Sequence, residues 1–341
     1  MISCQTGYPR VIEVTIPGKT LIGNPLGDPV ERRIPVYLPP SYNEQTRFPV
    51  IYLLAGFAST GQSFINYSFG RQSVPEIAES LIAAGKMQET IIAMPDCMTR
   101  YGGSQYVDSV ATGNYETYLV HEVIPCIDQT LSTLPAREHR AVAGKSSGGF
   151  GALRLAMKHP KIFSAVACHS GDMGFELCYK PNFPKAARIL EQYNNNIAAF
   201  LTSYENALKK PQAEFALLDM VAMAAAYSPD KEQKAPENIR LPFSSHTCEI
   251  IDTVWQEWLS FDPIEMIEQE KYRAALRSLH CLFLDCGTLD EYNLQFGHRA
   301  FSAKANLYSI KNRYEEFRDS HNNTSYRYFI SLPVLSEAIA G

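Results

Sequence analysis

The sequence has no long hydrophobic run and no excess of positive charge. No window reaches the about 18 uninterrupted apolar residues that a membrane-spanning helix needs. The segment Met1 to Gly18 is mixed and polar and lacks the apolar stretch of a secretion signal, so we expect a cytoplasmic protein. Lysine and arginine number 31 against 36 aspartates and glutamates, a net charge of −5. This balance argues against nucleic acid and membrane as partners.

Signatures of metal sites and of bound phosphate are also missing. None of the eight cysteines forms a C-x-x-C pair, and most lie in apolar runs, which predicts free thiols in a reducing compartment. The tripeptide Gly144-Lys145-Ser146 resembles the end of a phosphate-binding loop. That loop needs an earlier glycine at the position that His139 occupies. We therefore predict no metal and no cofactor.

The rest of the sequence has the pattern of a globular α/β protein. Apolar strand-like runs, such as Val50 to Leu54 and His280 to Leu284, alternate with helical spacing, as in Val74 to Ala84. This alternation predicts a mostly parallel central sheet flanked by helices. Residues 172–246 contain only helical stretches and loops, so we predict a core of residues 1–171 and 247–341. Residues 172–246 would be a helical insertion, or cap, after the sixth strand, at the edge where ligands bind.

The pentapeptide Gly144-Lys145-Ser146-Ser147-Gly148 is the most informative motif. It lies between a strand-like run and the helix-like run Phe150 to His159. Glycines two residues before and after a serine permit a sharp strand-to-helix turn that holds the serine in a strained backbone conformation. The motif therefore predicts Ser146 as the nucleophile of acyl transfer through a covalent intermediate.

A nucleophilic serine needs a base, and the base needs an acid to orient it. In α/β-hydrolases the chain order is serine, acid, histidine, each on a loop after a strand. The run 280–284 is followed by three acids, Asp285, Asp290 and Glu291. Asp285 belongs to the strand end, whereas Asp290 follows a glycine-containing turn that can present a carboxylate to the cleft. We favour Asp290 for this reason.

Two histidines, His298 and His321, follow that acid in sequence. His298 falls within the predicted helix Leu294 to Ile310, whereas His321 follows the strand-like run Arg313 to Phe317. The chain order therefore favours His321 as the base. His169, at a strand end next to Ser170, is the one earlier histidine that we expect to line the pocket.

Acyl transfer also needs two backbone donors for the tetrahedral oxyanion. The amide of Ser147, directly after the nucleophile, is one candidate. The second is the amide of Phe57, in the loop Ala55-Gly56-Phe57 that follows the strand-like run 50–54.

At these residues the chain resembles the esterase D and antigen 85 branch of the α/β-hydrolases. Segments 52–57, 144–151 and 285–291, and His321 with the Glu315-Glu316-Phe317 run before it, are similar to the oxyanion, nucleophile, acid and base loops of that family. Ala55 stands where many members have histidine. The resemblance extends from about Arg33 to Leu335 and is weakest across the insertion. It implies an α/β-hydrolase fold, with Asp290 as the acid and Tyr101-Gly102-Gly103-Ser104 at the cleft rim.

These features predict a serine carboxylesterase that hydrolyses small or short-acyl esters. Ser146 attacks the ester, His321 transfers the proton and Asp290 orients the imidazole. The resemblance leaves two alternatives, a thioesterase of the S-formylglutathione type and an acyltransferase of the antigen 85 type. A binding protein that has kept the fold is disfavoured because all three catalytic positions are filled. The expected partner is a small-molecule ester, and the resemblance is compatible with a homodimer.

Overall fold

The computed structural model describes residues 9–67 and 69–340. Within these ranges the strands are β1 (Val11–Ile16), β2 (Arg32–Tyr37), β3 (Val50–Leu54), β4 (Ile91–Ala93), β5 (Asp108–Ser109), β6 (Gly113–Asn114), β7 (Arg140–Lys145), β8 (Ala165–His169), β9 (Cys281–Gly287) and β10 (Arg313–Phe317). The helices are α1 (Val74–Ala83), α2 (Tyr115–Tyr118), α3 (Ile124–Thr130), α4 (Ser147–Lys158), α5 (Phe175–Cys178), α6 (Phe183–Glu191), α7 (Ile197–Asn206), α8 (Phe215–Tyr227), α9 (Asp252–Leu259), α10 (Pro263–Met266), α11 (Glu270–Arg277), α12 (Leu294–Leu307) and α13 (Tyr328–Ile339).

Eight strands form one sheet in the order β1-β2-β4-β3-β7-β8-β9-β10. The β1–β2 and β2–β4 pairs are antiparallel, and the pairs from β4 to β10 are parallel. The prediction of a mostly parallel central sheet flanked by helices is confirmed. The carboxyl ends of β3, β7, β8, β9 and β10 therefore meet at one edge, where ligands bind in such sheets.

The central strands are mostly apolar because helices cover both faces of the sheet. In β3, Val50, Tyr52 and Leu54 pack into the core on one face, and Ile51 and Leu53 pack into the core on the other. Side chains of a strand point alternately to its two faces, so each residue of β3 is buried against one helical layer or the other.

The chain between β8 and β9 forms a third hydrophobic cluster. The helices α5 to α8 lie within residues 172–246, and Phe175, Tyr179 and Tyr227 are buried there together. Helix α9 adds Trp255 and Trp258 to the same cluster. The aromatic rings pack mainly edge to face or tilted, as between Tyr179 and Trp258 at 5.6 Å, an arrangement that favours a rigid core.

Part of the chain's polar start falls on residues 1–8, outside the described ranges, and so does Cys4. The seven cysteines within the described ranges are free thiols. None of the helices in those ranges has the length and apolar character needed to cross a membrane.

Candidate active site

Ser146 lies at a sharp turn between β7 and α4. Its backbone angles are φ 58° and ψ −129°, a region that residues other than glycine rarely adopt. The turn is tight enough that a Cβ on Gly148 would lie 2.1 Å from the Leu54 carbonyl oxygen. A Cβ on Gly144 would lie 2.3 Å from the Gly148 carbonyl oxygen. Both glycines are therefore needed for this backbone path, and the hydroxyl of Ser146 faces the cavity at the carboxyl edge of the sheet.

The structure brings the three predicted side chains into one hydrogen-bonded row. His321 Nε2 lies 3.0 Å from Ser146 Oγ, and His321 Nδ1 lies 2.8 Å from Asp290 Oδ2. This geometry is consistent with an imidazole that donates its Nδ1 proton to the carboxylate and accepts the serine proton at Nε2. Asp290 and His321 are both buried, at 3% and 5% exposure, so water competes little for these hydrogen bonds.

Two neighbours of Asp290 hold the base in place. Glu291 accepts a hydrogen bond from the backbone amide of His321 at 2.8 Å, and the ring of Tyr292 packs edge-on against the imidazole with centroids 4.8 Å apart. Glu291, a candidate acid by sequence, thus contacts the backbone of the base loop rather than the imidazole nitrogen.

The pKa of Asp290 lies below its ordinary value. Burial acts to raise this pKa, but the hydrogen bond from His321 and the amide of Tyr292 outweigh burial and lower it. Asp290 is consequently ionised at neutral pH and can balance a positive charge on the imidazole.

Asp285, the alternative acid, belongs to a second aspartate–histidine pair. His169 Nδ1 lies 2.7 Å from Asp285 Oδ1, and His169 Nε2 lies 2.9 Å from Ser331 Oγ. Arg327 Nε donates to the other oxygen of Asp285 at 2.8 Å. Asp285 and Ser331 are fully buried, so this row ties β8, β9 and α13 together and offers substrate no access. The expectation that His169 lines the pocket is not met by this geometry.

His298, the alternative base, is buried within α12 and does not reach Ser146. Its Nε2 lies 3.2 Å from the Gly171 carbonyl oxygen. Burial lowers its pKa to about 4, so the ring is neutral at physiological pH.

The two predicted oxyanion donors both line the cavity beside the nucleophile. Neither the Phe57 nor the Ser147 amide donates to another group within the described ranges. A Cβ on Gly56 would lie 3.4 Å from Ser146 Cβ, which shows how closely the loop approaches the nucleophile. The hydroxyl of Tyr106 donates to the Ala55 carbonyl at 2.5 Å and supports this loop where the resembling family often has histidine. The role of Tyr106 was not predicted, because no motif around it in the sequence indicates a contact with Ala55, 51 positions away.

A cavity of about 760 Å³ opens onto Ser146 and His321. One side, which we name the polar lobe, includes Ser63, Phe64, Arg71, Asn323 and Tyr328. A second group of lining residues, which we name the acidic lobe, consists of Asp172, Tyr179, Phe215, Asp219 and Tyr292. The cavity is of the size that holds a drug-sized ligand.

Three ionisable side chains of this cavity were not predicted as site residues. Asp172 accepts hydrogen bonds from Ser147 Oγ at 3.3 Å and from Tyr179 OH at 3.0 Å, while burial raises its pKa. Burial and then the charge of Asp172 raise the pKa of Asp219 to about 8. Burial lowers the pKa of Lys145, although Asp290 and other nearby carboxylates oppose this effect. All three positions depend on tertiary packing that a single sequence does not display.

Solved structures with this fold include several esterases. A ferulic acid esterase aligns over 96% of this chain and 98% of its own, with a TM-score of 0.63 and 21% identity. An S-formylglutathione hydrolase from Agrobacterium tumefaciens aligns over 96% of this chain and 95% of its own, with a TM-score of 0.58 and 14% identity. At these identities the likeness establishes the shared fold.

The fold and these side chains place the chain among the serine esterases of the α/β-hydrolase type. The chain belongs to the family described as "Putative esterase", whose model matches residues 29–278. The matched range contains Ser146 and both oxyanion candidates and ends before Asp290 and His321.

Curated relatives match a shorter stretch of the chain. An esterase of Mycobacterium tuberculosis is 36% identical over 138 residues, which is 40% of this chain and 28% of that protein. An endo-1,4-beta-xylanase/feruloyl esterase of Xylanibacter ruminicola is 30% identical over 141 residues, 40% of this chain and 19% of that protein. The match thus spans less than a third of the length of these relatives.

Proposed function

We propose that this protein is a carboxylesterase that works through an acyl-enzyme on Ser146. The observation that carries the proposal is the row Ser146–His321–Asp290, with distances of 3.0 and 2.8 Å, whose Ser146 and His321 line the cavity. Membership of the esterase family supports the same reaction class.

The reaction follows from the arrangement of these groups. Ser146 Oγ attacks the ester carbonyl carbon while His321 Nε2 takes the hydroxyl proton. The carbonyl oxygen becomes an oxyanion that accepts hydrogen bonds from the Phe57 and Ser147 amides. His321 then protonates the departing alcohol oxygen, and the C–O bond breaks to leave the acyl-enzyme. A water molecule repeats the attack, with its proton passing to His321, and the acid is released as Ser146 regains its hydrogen.

The cavity volume bears on the size of the substrate. A volume of about 760 Å³ exceeds what a short acyl group fills. A short-acyl ester therefore suits this site when a bulky alcohol occupies the remaining space. We also propose that residues 172–246 act as a cap, because Tyr179, Phe215 and Asp219 from that segment line the cavity.

The decisive test is the Ser146→Ala variant with p-nitrophenyl acetate and with a fluorophosphonate probe. Wild type should hydrolyse the ester and be labelled on Ser146, and the variant should do neither. Ser147→Ala is a matched control, because its backbone amide remains and its hydroxyl takes no part in the proposed reaction. Hydrolysis that persists in folded Ser146→Ala would overturn the proposal.

A thioesterase of the S-formylglutathione type is the second candidate, since the same groups attack a thioester. The ratio of kcat/KM on S-formylglutathione to that on p-nitrophenyl acetate separates the two activities. Acyl transfer in the manner of antigen 85 would instead give transfer products when alcohol acceptors are added.

A further inference from the structure

The acidic lobe combines carboxyl groups with aromatic rings in the cavity that Ser146 also lines. Asp219, on α8, lines the cavity, and its carboxyl group makes no hydrogen bond or ion pair with the residues in the described ranges. Phe215, one turn earlier on α8, also lines the cavity, and its ring packs against that of Phe57 with centroids 5.6 Å apart. Tyr292 lines the same lobe and packs on the imidazole of His321. The lobe thus lies directly beside the reacting groups.

The two carboxyl groups of the lobe differ in how they are satisfied. Asp172 accepts from Gln105 Nε2 at 3.1 Å as well as from Ser147 and Tyr179. These neutral donors stabilise its charge from the protein side. Asp219 has no such donors, so its carboxyl group is available to a ligand.

The lysine and the arginine that line the cavity interact with groups other than Asp219. The carboxylates of Asp290, Glu291 and Asp172 act on the pKa of Lys145, and Asp219 is not among the groups that do so. Arg71 donates to Asn323 at 2.6 Å in the polar lobe. Asp219 is therefore the carboxyl group of the cavity without a compensating cation in the described chain.

We propose that the acidic lobe selects esters that carry a cationic ammonium group, with Asp219 as the specificity-determining residue. A carboxylate attracts such a group, and the faces of Phe215 and Tyr292 favour it further through cation–π contact. This inference rests on the proposed esterase function and adds the chemistry of the substrate to it.

The probes are two isosteric pairs of esters that differ only in charge. Choline acetate and 3,3-dimethylbutyl acetate place the trimethyl group on the alcohol. The p-nitrophenyl esters of 4-(trimethylammonio)butanoic and 5,5-dimethylhexanoic acid place it on the acyl group. For at least one pair, wild type should show a kcat/KM about ten-fold higher for the cationic member, the scale of one well-formed cation–π and charge contact.

The Asp219→Asn variant should lose this preference by slowing only the cationic member. Glu191→Gln also removes one carboxyl group, from an exposed position on α6. It is the matched control and should keep the preference. Phe215→Leu provides a second variant, which should reduce the preference while leaving Asp219 in place.

The preference should also depend on pH. The titratable and charged groups that face Asp219 or share its cavity are Asp172, Cys178, Tyr179, Tyr292, Lys145, His321, Arg71, Tyr67 and Tyr328. Because the pKa of Asp219 is raised to about 8, its carboxylate becomes more populated as pH rises through that value. The ratio of cationic to neutral kcat/KM should therefore increase from pH 6 to pH 9 in wild type and stay flat in Asp219→Asn. The ratio cancels any effect of pH that both esters share.

Equal kcat/KM within both pairs, or a preference that survives Asp219→Asn, would overturn this inference. Hydrolysis of the neutral members would then still support the esterase function. Failure to hydrolyse any of the four esters would instead count against the proposed function itself.

Discussion

The same substitution, aspartate to asparagine, should have different effects in the two aspartate–histidine pairs: loss of activity at Asp290 and loss of stability at Asp285. Asp290 and Asp285 each lie within 2.8 Å of an imidazole Nδ1, and both are buried. Only Asp290 acts on a histidine that reaches Ser146. We expect Asp290→Asn to lower kcat on p-nitrophenyl acetate by about 1,000- to 10,000-fold, the scale seen when the acid of a serine-protease triad becomes an amide. The fold should remain, because the amide has the same shape.

Asp285→Asn should instead reduce stability. The carboxylate is fully buried and accepts two charge-assisted hydrogen bonds, at 2.7 Å from His169 and 2.8 Å from Arg327. Asparagine keeps one acceptor and turns an NH₂ group toward another donor, so we expect a loss of about 3 kcal/mol in the free energy of unfolding. The remaining folded enzyme should keep kcat within about ten-fold, since the row leading to Ser146 is intact.

The loss of stability in Asp285→Asn should depend on pH in a defined direction. Burial acts to raise the pKa of Asp285, but His169 and Arg327 lower it below its ordinary value. A carboxyl group with a depressed folded-state pKa stabilises the fold fully above its unfolded pKa of about 3.9. This stabilisation is lost as pH falls through the folded-state value. The stability difference between wild type and Asp285→Asn should therefore be full at pH 7 and shrink below about pH 4.

Urea unfolding followed by circular dichroism, together with steady-state kinetics, measures both variants. The reasoning is refuted if folded Asp285→Asn loses activity as severely as predicted for Asp290→Asn. It is equally refuted if Asp290→Asn retains near wild-type kcat.

Three further substitutions test other parts of the structure. Gly148→Ala places a Cβ 2.1 Å from the Leu54 carbonyl oxygen and should lower both kcat and Tm; an unchanged Tm would contradict this packing. Tyr106→Phe removes the hydrogen bond to the Ala55 carbonyl and should lower kcat several-fold at constant KM in ester kinetics, whereas unchanged kcat would refute a supporting role. Glu116 is buried among three basic side chains that lower its pKa. Glu116→Gln should lower the free energy of unfolding by about 3 kcal/mol. Urea titrations should show that loss at pH 7 and less of it below about pH 4, and equal stability at pH 7 would exclude it.

The sequence was most informative where local backbone geometry determines residue type. Strand 50–54 lies where its continuous apolar run predicted a buried strand, and the short strand 313–317 also lies at the predicted position although it is mostly polar. Gly144 and Gly148 predicted the turn at Ser146, since any larger side chain would collide there. Placement after a glycine-containing turn then favoured Asp290 and chain order favoured His321, and the fold brings these two residues together.

Other parts of the site depend on contacts between distant residues. Nothing near Asp285 in sequence indicates that its carboxylate forms a hydrogen bond with His169, because 116 positions separate the two. Asp219 lies on a helix whose apolar pattern gives no hint that one polar residue faces the cavity. The two-residue strands β5 and β6 are too short to carry an alternating pattern, so the hairpin between them was not predicted.

The reacting side chains and the cavity wall come from different stretches of polypeptide. Ser146, Asp290 and His321 follow strands of the sheet, whereas Tyr179, Phe215 and Asp219 belong to the segment between β8 and β9. Mutations in that segment can change which substrates the cavity accepts and leave the three reacting side chains unchanged. Such a division lets homologous enzymes diverge in substrate specificity while they keep the same reaction mechanism.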